Sequence, residues 1–186
     1  MGLRRAKIIE KGMFASPALG IDSPYELIED SDRPDGLAVR CIASKETYGT
    51  EVLAYPTIGQ IDDQQRAFVR EICAWLMANN ASPAREQAAV QETRRATSMD
   101  YTAVDLANDR EWIKSFDLTG RMRFLAANAD EQRRLDVLHV TANVAASSGL
   151  SESDAQFVER LGAGLGIDGD TVMGIVMSAM NGSLAA

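Results

Sequence analysis

Residues 130–149 read DEQRRLDVLHVTANVAASSG, residues 150–168 read LSESDAQFVERLGAGLGID, and residues 169–177 read GDTVMGIVM. In the first piece Leu135, Leu138, Ala142 and Ala145 recur at helical spacing, and Val137, Val140 and Val144 form an adjacent row. A stripe that wide belongs to a helix buried over most of its circumference. Asp130 and Glu131 suit the positive end of its dipole, and Ser147-Ser148-Gly149 ends it, because glycine takes the left-handed conformation at a C-cap. Ser151 then caps a second helix, with Asp154 three residues on as a weaker capping box. Phe157, Val158, Leu161 and Leu165 carry that helix's apolar face, and Gly166 closes it. A third helix turns Val172, Ile175, Val176 and Ala179 inward. Three successive helices with wide apolar faces predict an all-α body.

The same texture extends upstream to Pro56. Asp62 or Asp63 is the expected cap of a helix with Phe68, Ile72, Trp75 and Leu76 on one side, widened by Val69 and Cys73 and ending near Asn79-Asn80. Ser82-Pro83 opens a charged surface helix with a narrow apolar face. Asp100 is the expected cap of YTAVDLANDREWIKSF, with Val104, Leu106, Trp112, Ile113 and Phe116 as anchors and a break near Asn108-Asp109. Thr119 is the expected cap of the next helix, which points Met122 and Leu125 inward. Two segments share one plan, RAFVREICAWLMANNASPAREQAAV (66–90) and RLDVLHVTANVAASSGLSESDAQFV (134–158). Each has a buried helix, two small polar residues, a Ser cap and an acidic residue three or four positions later, the mark of a weak internal duplication.

Residues 1–60 differ, carrying four of the chain's five prolines. Ser23-Pro24 ahead of Tyr25-Glu26-Leu27-Ile28 reads as the cap and first turn of a short helix. Leu37, Val39, Cys41 and Ala43 alternate with Ala38, Arg40 and Ile42, and Thr50, Val52 and Ala54 alternate again. That pattern predicts either a β-hairpin or an irregular arm.

Composition bounds the function. At 186 residues and 46% hydrophobic content, the chain suits one soluble globular domain with an N-terminal extension. A net charge of −8 opposes general binding to phosphate backbones, so no nucleic-acid partner is expected. Cys41 and Cys73 lie in apolar contexts, which predicts buried free thiols in a reducing, cytoplasmic setting. No stretch approaches the roughly 20 apolar residues of a membrane span. Lys7, Glu10 and Lys11 interrupt the apolar run a signal peptide needs, so export is not expected either.

The pattern over SFDLTGRMRFLAANADEQRRLDVLHVTANVAASSGLSESDAQFVERLGAGLGID (115–168) resembles the TerB-like family, named for a tellurite-resistance protein, and the likeness extends over about 62–170. It rests on the buried helix with a small-residue end, the turn, the Ser-x-x-acid opening at Ser151 and Asp154, and the Leu165-Gly166 close. The resemblance implies an all-α bundle of about seven helices. In that family the two turns commonly read Ala-x-Asp-Gly-x-[Ile/Val]-Ser-x-x-Glu, and their acids are associated with divalent cations. Carboxylates converging at a helix N-terminus repel one another unless a hard cation sits between them. Here Ser148 stands where the second turn's Asp belongs, Asn80 or Asn79 replaces the first turn's, and Glu86 falls one residue late. The fold carries over while the metal site does not.

His139 is the chain's only histidine, on the face shared by Leu135 and Ala142, where a packed helix-interface histidine is the plain reading. An enzyme built on Cys73 or His139 is the least favoured alternative, since no P-loop, G-x-G-x-x-G, G-x-S-x-G or H-E-x-x-H motif is present. Arg94-Arg95, with Arg85 nearby, and Arg133-Arg134, with Arg121 and Arg123, read as solvated helix faces or a docking surface for an acidic partner. Met173, Met177 and Met180 follow helical spacing and make the last helix the preferred partner-binding candidate. The expectation is thus a mainly α-helical protein: an extension over 1–60, a TerB-like bundle over 61–181 and a frayed tail over 182–186. It is expected to act without cofactor or metal as a cytoplasmic adaptor or scaffold for a protein partner in a bacterial stress-response or membrane-associated complex, peripheral to any membrane, with self-association left open. A divalent-cation sensor that keeps a reduced site at the Asn79–Glu86 or Ser148–Asp154 turn is the alternative.

Overall fold

The computed structural model describes residues 7–184. The chain divides into two compact units, Met1–Asp62 and Asp63–Ala186.

The first unit is an antiparallel sheet in the order β1-β2-β3-β4, made of β1 (Ile8–Ala15), β2 (Asp22–Glu29), β3 (Leu37–Cys41) and β4 (Thr47–Tyr48). The short helix expected after Ser23-Pro24 is instead β2. Ser23, Tyr25 and Leu27 are buried while Pro24 and Glu29 are exposed, so a two-residue period overrides the local Pro signal. Pro24 precedes Tyr25, where the register with β3 begins, so its missing N–H costs that ladder nothing. The expected hairpin exists, but the partner of β3 is β4, and Thr50–Ala54 is a 3-10 turn that buries Val52. β1 has no counterpart in the sequence reading, because Phe14 is its one buried residue and no apolar alternation marks it.

One face of the sheet holds a core of Phe14, Tyr25, Leu27, Val39, Cys41 and Val52. The Phe14 and Tyr25 rings meet edge to face at 5.8 Å. Gly12 lies opposite Tyr25 in the register, and a Cβ there would meet the ring at 2.7 Å. The ring therefore lies across the glycine, and its hydroxyl donates to Glu10 Oε1 at 2.9 Å. On the other face Lys11, Glu26 and Arg40 form a cross-strand row of ion pairs.

α1 (Ile58–Asn79) runs across the boundary between the units. It begins ahead of the expected Asp62 or Asp63, because the Asp22 carboxylate accepts the N–H groups of Ile58 and Gly59 at 2.7 and 2.8 Å. Thr57 and Gln60 complete a reciprocal box. Then follow α2 (Pro83–Thr97), α3 (Ala103–Glu111), α4 (Leu118–Asn128), α5 (Glu131–Ala146), α6 (Glu152–Gly164) and α7 (Gly169–Leu184). Of the tail expected to fray over 182–186, residues 182–184 are helical, and 185 and 186 lie outside the described residues.

Two caps match the sequence reading, Ser82 for α2 and Ser151 for α6, and Asp130, expected there as a charge at the dipole's positive end, is itself the cap of α5. Two differ. Thr102 rather than Asp100 caps α3, because Asp105 is placed to close a full box with it, and Asp117 rather than Thr119 caps α4 by accepting Gly120 N–H. Val104 and Trp112, expected as anchors, are 68% and 65% exposed, and only Leu106 of α3 is buried. What holds α3 is polar. Asp109 takes a two-pronged bond from Arg70 at 2.9 and 2.6 Å and a third from the Tyr101 hydroxyl at 2.6 Å.

α5 is the centre of the helical unit, packed against α2, α6 and α7. Its buried residues run on both expected rows, from Val137 and Leu138 to Ala145 and Ala146. Val172, Ile175, Val176 and Ala179 of α7 are buried as their spacing predicts.

Candidate functional site

The two helical hairpins α1–α2 and α5–α6 meet at a charged junction closed to solvent. Ser82 caps α2 and Ser151 caps α6; three residues after each cap stand Arg85 and Asp154. Arg85 Nη2 donates to Asp154 Oδ2 at 2.8 Å, with the side chains 0% and 2% exposed. The same Nη2 donates to the Ala145 carbonyl at 2.8 Å, and Nη1 donates to the Leu76 carbonyl at 3.4 Å. These carbonyls lie in the last turns of α5 and α1, at the negative ends of the two helix dipoles, and the Leu76 carbonyl also accepts the Asn80 N–H at 3.1 Å. One guanidinium thus joins the C-terminal ends of two helices to the carboxylate that begins a third. Ser151 Oγ adds a bond to Asp154 Oδ2 at 2.8 Å. Arg85 Nε is, among the described residues, the one buried side-chain polar atom without a hydrogen-bond partner.

Arg85 was read from the sequence as part of a surface basic spot, and its burial corrects that reading. The signal was present. Arg85, Ala89, Thr93 and Thr97 recur every fourth residue along α2 and all four are buried, so Arg85 continues the helix's narrow inward stripe.

In the resemblance to the TerB-like pattern, the position three residues after each Ser cap carries an acid. Here one carries Asp154 and the other Arg85, so the positive charge facing the carboxylate is a side chain. Of the turn positions singled out in the sequence, Ser151 and Asp154 enter this junction. Asn79 instead donates to the Trp75 carbonyl at 2.8 Å, and Asn80 reaches the junction only through its backbone N–H on the Leu76 carbonyl at 3.1 Å. Among the described residues no group of three or more His, Cys, Asp and Glu side chains is placed to hold a metal ion.

The remaining candidates are scattered. Arg94 closes the end of α2 by donating to the Tyr101 carbonyl, and Arg95 pairs with Glu92 at 2.7 Å. Arg121 pairs with Glu71 at 2.7 Å and Arg134 donates to the Leu165 carbonyl at 2.9 Å, so these cations bind the chain's own helices. Cys73 is fully buried and takes a bond from the Thr93 hydroxyl at 3.5 Å; burial pushes its thiol up to about 12. His139 is half-buried on α5, with no hydrogen bond to Cys73 among the described residues. Cys41 is also free and buried. Burial raises its thiol, but the Ser23 hydroxyl at 3.3 Å and the Ser44 donors outweigh that and bring it to about 6.

Met173 and Met177 are 53% and 52% exposed on α7, with Met180 on the same helix at 39%. Met173 also lines a groove of about 360 Å³ between α6 and α7, walled by Ala155, Ala163, Ile167, Val172 and Val176. Glu159 is its one ionisable lining residue, and no residue of α7 after Asp170 carries a charge. No described helix is long and apolar enough to cross a membrane. No family model matches the chain, and no curated protein or solved structure matches it.

Proposed function

We propose that the chain is a non-enzymatic interaction module, a TerB-like helical bundle that serves as an adaptor or scaffold in a bacterial stress-response or membrane-associated complex. The observation that carries this reading is the uncharged, methionine-bearing face of α7, continuous through Met173 with the α6–α7 groove. Methionine side chains are unbranched and polarisable, so they repack around a partner's apolar residues at small strain. An apolar groove of this kind is a surface into which an amphipathic helix lays its apolar face. Glu159 inside it and Asp168 and Asp170 at the start of α7 favour lysine or arginine on the partner's flanks. The partner is therefore an amphipathic helix with a basic rim.

A photocrosslinking residue at Met177, compared with one at exposed Val104 as a control, tests this in cells of the native host. The expected result is crosslinking at 177 to a helix-forming apolar segment flanked by Lys or Arg, abolished by Met173→Glu and untouched at the control position. Crosslinks that Met173→Glu leaves intact, or that match those at position 104, overturn the proposal.

A further inference from the structure

A second concavity of about 270 Å³ lies where α1, α4 and α6 converge, apart from the α6–α7 groove. Each helix contributes residues that share one of its faces: Phe68 and Trp75 from α1, Leu118 and Met122 from α4, Phe157 and Leu161 from α6. Trp75 and Phe157 stack at 4.2 Å between centroids and form one rigid wall. Opposite, Met122 is seated on Gly164, where a Cβ would meet its sulfur at 2.1 Å. An apolar cleft therefore stays open between well-packed walls.

Its polar complement is small and of one sign. Thr119 and Arg160 are the polar lining residues, and no carboxylate lines the cleft in a chain that carries 27 of them. Arg160 Nε donates to the Gln156 carbonyl one turn back at 3.2 Å. That bond holds the side chain against α6, and among the described residues no ion pair engages its terminal nitrogens, which remain available to a ligand. Arg70, Arg85 and Arg121 of the same unit are by contrast committed, to Asp109, Asp154 and Glu71.

From this arrangement we infer that the α1–α4–α6 cleft binds a small amphipathic carboxylate, its hydrocarbon chain against Trp75, Leu118 and Met122 and its carboxylate on Arg160. An inorganic anion would leave the apolar walls wet, a neutral hydrocarbon would leave the guanidinium unused, and a cation would meet repulsion. The volume falls just below the roughly 300–1,000 Å³ of sites that enclose drug-sized ligands, which points to a metabolite-sized chain. A planar fork of donors beside an apolar slot is the arrangement that reads a carboxylate head together with its tail.

Trp75 reports on its own cleft once the exposed Trp112 is replaced. The full chain carrying Trp112→Phe is titrated with octanoate, octanol and octylammonium, each below its micelle concentration, while Trp75 fluorescence is followed. The expected result is a saturable change with octanoate, at an affinity about ten-fold above octanol's, and none with octylammonium. Arg160→Gln, at an exposed position that does not threaten the fold, is expected to reduce octanoate to octanol's level. Equal binding of octanoate and octanol marks an unspecific apolar patch and overturns the proposal, as does octanoate binding unchanged by Arg160→Gln or the lack of any saturable signal. Met173→Glu is expected to leave the titration as it is, so the outcome is independent of the α7 reading.

Discussion

Arg85 keeps a full charge out of water because three acceptors are arranged around it, the carbonyls of Leu76 and Ala145 and the Asp154 carboxylate, and that carboxylate also accepts from the Ser151 hydroxyl. The two ions depend on each other. Replacing one partner of a buried pair strands the other and typically costs about 3–5 kcal/mol, whereas replacing both with apolar groups recovers much of that loss. Arg85→Met and Asp154→Leu are each expected to destabilise the chain by that order in urea unfolding, and the double variant by clearly less than their sum. Additive losses would show that the two residues act separately. A second residue-scale effect concerns protons. Burial pushes the Cys73 thiol from 9.0 to about 12, and burial with the Asp109 hydrogen bond raises the Tyr101 hydroxyl. Both folded values lie above the unfolded ones, so the folded chain keeps protons that the unfolded chain releases. The stability tied to Cys73 is fully present below pH 9 and is lost as pH climbs towards 12. Stability measured from pH 9 upward is expected to fall more gently for Cys73→Ala than for the native chain.

Between elements, α6 and α7 approach closely because Gly162 has no side chain. A Cβ there would meet Val172 Cγ2 at 2.4 Å. Valine is stiff at χ1, and Val172 is itself buried, so the clash has no easy outlet. The comparable contact at Gly164 falls on the flexible thioether of Met122. Gly162→Ala is accordingly expected to cost about 1–3 kcal/mol, recovered in part by Val172→Ala, and Gly164→Ala less. Equal costs at the two positions in thermal unfolding would refute this account of the helix approach. Sequence spacing alone marked α5, α6 and α7, with Ser151 as the cap of α6, because those helices are selected by wide apolar faces. For α3 it marked the helix but misplaced the cap and the anchors, because its hold is the Arg70–Asp109–Tyr101 cluster. Its members are 39 and 8 residues apart from Asp109, and no local pattern announces them.

Over the whole molecule the net charge of −8 sets a field that repels anions at long range and draws cationic partners. For the basic helix proposed to dock on α7, raising ionic strength from about 50 to 200 mM is expected to slow association markedly while changing dissociation little, measured by stopped-flow mixing once the segment is in hand. An association rate indifferent to salt would remove the basic rim from the proposal. The amphipathic carboxylate meets the same repulsive field and relies on Arg160 at contact range, where screening matters less.

What the chain's order of residues determined by itself is local: the helical body, the caps at Ser82 and Ser151, the left-handed stop at Gly149 and the inward faces of α5 and α7. Each is decided by residues within a turn or two of one another. What only the tertiary structure decided is every feature that needs a partner distant in sequence. β1 and β2 are strands because each is paired, despite the charges of one and the Ser-Pro of the other. Arg85 is a core residue because Asp154, 69 residues away, and two helix ends converge on it. The cleft at Trp75 exists because three helices that share no local signal bring their apolar faces to one place. Burial and pairing are properties of the packed chain, and they outweigh the local preference of any single residue.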